Sequence, residues 1–87
     1  MTTDQACLAY LAERYPAQMR ETAILQRVND SGMCDEPMTQ ETMLATLCRV
    51  QKLGFVDFAA GWHGKGTWGA TQAGIRQWTL DGRPHVG

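Results

Sequence analysis

The chain reads as an α+β domain with three N-terminal helices, a β-hairpin and a short C-terminal helix. Three observations predict this. Apolar residues recur at helical spacing in Leu8-Leu11-Ala12-Tyr15, in Ile24-Leu25-Val28 and in Met43-Leu44-Leu47-Val50. Two β-prone runs, Phe55 to Phe58 and Thr67 to Ala70, flank a stretch holding Gly61, Gly64 and Gly66, which reads as a hairpin tip near Gly64. Thr39 and Thr71 each precede a helical pattern, where a side-chain oxygen accepts from the free N–H groups of a first turn.

The first helix is expected from a cap at Thr3 or Asp4 to about Tyr15. Pro16 stops it, because proline lacks an N–H and disfavours helix at the residue before it. Leu8, Leu11, Ala12 and Tyr15 share the expected core face. Cys7, Tyr10 and Arg14 lie on another, where Tyr10 is either a partner contact or a half-packed side chain. Ala17 to Arg20 is a connector. A second helix is expected from Thr22, carrying Ile24, Leu25 and Val28, and Asn29-Asp30-Ser31-Gly32 ends it. The third helix follows the Thr39 cap with Met43, Leu47 and Val50 inward. Gly54 sits just past Leu53, where a helix often ends in a left-handed residue. After the hairpin, Thr71 opens a closing helix with Ala73, Ile75 and Trp78. Residues 1–80 form one domain, and 81–87, holding Gly82 and Pro84, read as a flexible tail.

Leu47-x-x-Val50-x-x-Leu53-Gly54-Phe55-Val56, followed after the hairpin by Thr71-x-x-Gly74, resembles the MarR and PadR types of bacterial winged-helix regulator. The resemblance spans roughly residues 39–78 and marks the fold better than any ligand site. It implies a small winged helix-turn-helix, with the third helix as recognition helix and the hairpin as wing. It also implies that Met19 adds a third strand to the wing sheet. The function it implies is DNA binding in transcription regulation, in a bacterial or phage-like setting. One departure stands out. A compact helix-turn-helix joins its helices by about three or four residues, whereas Asp30 to Met38 is longer and carries Asp30, Asp35 and Glu36. These acids favour the helix dipole but repel phosphates.

Composition opposes an indiscriminate nucleic-acid binder. The 87 residues carry a net charge of -1, while phosphate binding rests on clustered positive charge. Any DNA site therefore depends on local segregation of charge. A chain this short is marginal alone, so a homodimer is a natural supplement. Cys7, Cys34 and Cys48 form no C-x-x-C pair, no leader pattern opens the chain, and no apolar run is long enough to span a bilayer. The expectation is a cytoplasmic protein with reduced thiols and no membrane contact, Cys48 being a buried thiol on the border of the core face.

For DNA, the candidate residues are Thr42, Ala45, Arg49 and Lys52 on the outward face of the third helix, with His63 and Lys65 on the wing. Small Ala45 allows close approach, Thr42 suits a base edge or a thymine methyl, and Arg49 suits guanine or phosphate. Glu41 shares that face, where it suits a cytosine amino group and otherwise opposes binding. For a protein partner, the candidates are Trp62 and Tyr10. Trp62 either anchors a partner or packs back against Trp68. Gly61 to Thr67 lacks P-loop spacing. His63, His85 and the cysteines lack zinc-ligand spacing, and no cofactor is implied. No nucleophile–base pair supports an enzyme, and Cys34 beside Asp35 and Glu36 is disfavoured as a thiolate. Two readings remain: a DNA-binding regulator, and a winged helix used for protein–protein contact.

Overall fold

Capping decides where the chain first becomes helical. The cap is Thr2, one residue before the expected Thr3 or Asp4, because only Thr2 has a glutamine three residues on. Its hydroxyl accepts from the Gln5 N–H at 3.1 Å, and the Gln5 side chain accepts from the Thr2 N–H at 3.2 Å, a reciprocal capping box. The computed structural model describes residues 1–61 and 66–85. Its elements run α1 (Thr3–Glu13), β1 (Met19–Arg20), α2 (Glu21–Ser31), α3 (Gln40–Lys52), β2 (Val56–Ala60), β3 (Gly66–Ala70) and α4 (Gln72–Leu80). The class is α+β, with four helices and one antiparallel sheet of strand order β1-β3-β2 among the described residues.

α1 is the centre of the molecule, packed against α2, α3, α4 and β3. Every residue from Ala6 to Ala12 is buried. A helix covered all round has no polar face to lose, and three alanines let its neighbours approach closely. This corrects two expectations. Tyr10, a candidate partner contact, is 1% exposed and belongs to the core, with the Arg14 guanidinium 3.9 Å from its ring centroid. Tyr15, assigned to the core, is exposed, because the helix ends at Glu13 ahead of Pro16.

Met19 pairs with Trp68 and Arg20 with Thr67, so the short connector does supply a third strand. α2 starts one residue ahead of the expected Thr22, and Gly32 closes it in the left-handed region at φ 69°. The longer link to α3 is pinned by one side chain. Asn29 Nδ2 donates to the Met38 carbonyl at 3.0 Å, and its Oδ1 accepts from the Met38 N–H at 2.8 Å. Asn29→Ala would leave both backbone groups of half-enclosed chain without that partner. The expected loss is about 1–3 kcal/mol in urea unfolding. A change under about 0.5 kcal/mol, ordinary for surface substitutions, would show that the link holds without Asn29.

The thiols are placed opposite to expectation. Cys48 is exposed, and Cys7 is the buried one, donating to Met43 Sδ at 3.5 Å. Burial, reinforced by Cys34 and Asp4, pushes the Cys7 thiol up to about 12, so it stays protonated and inert. After α4 the chain makes further contacts. Trp78 Nε1 donates to the Pro84 carbonyl at 3.0 Å, Arg83 stands over the Trp78 ring, and His85 Nδ1 lies 3.0 Å from Glu13 Oε1. Of the expected tail 81–87, Val86 and Gly87 lie outside the described residues.

Candidate nucleic-acid interface

α3 begins where its sequence says it should. Thr39 accepts from the Thr42 N–H at 3.2 Å, and the two hydroxyls stand 3.0 Å apart, so Thr42 already has one partner in the cap. Met43, Thr46, Leu47 and Val50 are buried. Glu41, Thr42, Ala45, Arg49 and Lys52 are all exposed, so the expected outward face is outward. Cys48 joins it. Glu41, Ala45, Cys48 and Lys52 follow one another at helical spacing and form its outermost ridge. Cys48 stands roughly opposite Met43 and Val50 on the helical wheel, so the helical period itself turns it outward.

Arg49 is not a free cation. The Asp4 carboxylate, on the first turn of α1, accepts from Arg49 Nε at 3.1 and 2.9 Å and also from Nη2. The hydrogen bonds, then the Coulomb attraction, raise the Arg49 guanidinium above its ordinary value. The side chains remain 53% and 35% exposed. Asp4 lies 45 positions away in sequence, and no local pattern announces the pair. Lys52, three residues on, is exposed.

The hairpin is built on the register Val56↔Ala70, Phe58↔Trp68 and Ala60↔Gly66. Its expected tip at Gly64, and with it Trp62, His63 and Lys65, lies outside the described residues. On the described part, Phe58 lies against Trp68, with ring centroids 4.7 Å apart. The Phe58 ring lies so close over Gly66 that a Cβ there would fall 2.0 Å from Cε2. Trp68 Nε1 donates to Glu21 Oε1 at 3.1 Å, tying the sheet to α2. Phe58 is 43% exposed, an aromatic surface that the strand pattern alone did not single out.

Two shallow grooves flank α4. One, of about 200 Å³, is lined in part by Leu8, Val50, Leu53 and Phe55. The other, of about 480 Å³, lies among Tyr15, Ile75, Arg76 and Trp78. Among the described residues no cluster of His, Cys, Asp and Glu could hold a metal ion, and no helix is long and apolar enough to cross a membrane. Compared with known proteins, the chain matches no family model, and no curated protein matches it in sequence.

Proposed function

We propose that the chain is a winged-helix DNA-binding protein that offers α3 to the major groove and the β2–β3 hairpin to the flanking backbone. The observation that carries the reading is α3 itself. Its capped N-terminal turns expose Thr42 and small Ala45, with Arg49 and Lys52 further along, beside a glycine-rich hairpin that brings His63 and Lys65 by sequence. The element order, and the joining of β1 to the hairpin sheet, support that reading. The resemblance to MarR and PadR regulators extends the proposal to transcription control of a bacterial or phage-like kind.

A second reading, a protein-contact module, is favoured by the Asp4–Arg49 pair and by the exposed Phe58. Both reduce the case for phosphate and raise it for a mixed surface. Salt dependence separates the two. Each lysine on a phosphate releases condensed counterion. Lys52→Ala and Lys65→Ala should each weaken binding to a random-sequence duplex and lower the salt slope by about one unit. Glu41→Gln should strengthen it. Fluorescence anisotropy at two salt concentrations reads all of these. No wild-type binding at low salt, or binding indifferent to both lysines, rules the DNA reading out. A partner interface would instead respond to Trp62→Ala or Phe58→Ala.

A further inference from the structure

A guanidinium has five N–H donors in a fixed fork. Asp4 occupies one edge of Arg49, taking Nε and one side of Nη2. Among the described residues nothing hydrogen-bonds to Nη1, so the end-on edge formed by Nη1 and Nη2 is left open. That edge can donate two parallel bonds to one acceptor pair.

We infer that Asp4 is a positioning residue for Arg49, and that the clamped arginine reads a guanine edge through O6 and N7 rather than a phosphate. The inference rests on the DNA-binding reading above. Two physical arguments select guanine. The Asp4–Arg49 pair has no net charge, so its pull on a phosphate is largely cancelled, and the carboxylate is itself repelled. Guanine is neutral and needs only two aligned donors. Arginine also carries considerable rotamer entropy. A side chain already fixed by a carboxylate loses less of it on contact. Asp4 is itself held, because the Thr2–Gln5 capping box sets the helical turn on which it stands.

The test is selection from a randomised duplex pool with the full chain, comparing wild type, Asp4→Asn and Arg49→Lys. The wild-type pool should fix a guanine at one position. Both variants should lose roughly tenfold of the preference there, the scale of one bidentate base contact, while the rest of the motif persists. On a random duplex, Asp4→Asn should steepen the salt slope by about one unit, because a compensated cation becomes free for phosphate. Arg49→Lys keeps the charge but lacks the rigid planar fork that gives one edge to Asp4 and the other to guanine. It therefore carries the test alone if Asp4→Asn does not fold, as judged by the dispersion of its NMR spectrum. An Asp4→Asn pool with the guanine preference intact overturns the inference and leaves DNA binding standing. So does a motif in which no guanine responds to Arg49→Lys. A wild type that binds no duplex at low salt overturns both together.

Discussion

Leu47→Ala is expected to lower the stability of the domain by about 2–5 kcal/mol, the usual range for a buried leucine truncated in a packed core. Leu47 is 0% exposed and stands on α3 between Met43 and Val50, both also buried. α3 packs on α1, α2 and β2, and Leu47 lies on its buried face. Domains of this kind are stable by on the order of 5–15 kcal/mol in total, and one leucine is a large share of that. Urea unfolding reads the effect directly. A loss under about 1 kcal/mol would show that α3 packs through a different face.

Gly74→Ala has an expected sign opposite to that of helix propensity. Inside a helix, alanine normally outperforms glycine by about 1 kcal/mol. Here a Cβ would stand 2.1 Å from the Phe55 carbonyl oxygen and 3.0 Å from its carbon, with Leu8 Cδ1 at 3.1 Å. The oxygen cannot simply move aside, because it accepts from the Thr71 N–H at 3.0 Å. The Thr71 hydroxyl in turn donates to the Gly54 carbonyl at 2.6 Å. Separating α4 from the start of β2 should destabilise by about 3 kcal/mol, the upper end of overpacking costs. Thermal unfolding checks it, and a variant more stable than wild type would mean that α4 does not approach the Phe55 carbonyl this closely.

What could be read without the structure was local. Thr39, Thr71, Gly32 and Gly54 all stand at the helix ends their chemistry favours, since capping involves residues only a few positions apart. The hairpin strands are legible for the same reason, and the helical wheel assigns the solvent face of α3 correctly except at Cys48, which stands on its outer ridge. It failed on α1. A wheel divides residues into two faces, and Cys7 and Tyr10 were placed on the outer one because Leu8, Leu11 and Ala12 filled the inner. Whether other elements cover that second face is a tertiary fact. Asp4 was invisible as a partner of Arg49, since nothing in either neighbourhood encodes the meeting of the first turn of α1 with the third helix. Asn29 was read only as a helix stop, although the same short amide that disfavours helix continuation is what brackets Met38.

The all-round burial of α1 bears on how the molecule comes apart. Each neighbouring element hides a different side of the same helix, so none can detach without wetting part of it. Partial opening at α4, at β3 or at the α2–α3 pair leaves α1 as bare apolar surface with no polar side to turn outward. Intermediates that lose one of these elements therefore forgo part of the burial that stabilises the rest. The chain should lose its structure in one cooperative step, with the amide protons of the Ala6–Ala12 segment exchanging only through that event and so among the slowest in the protein.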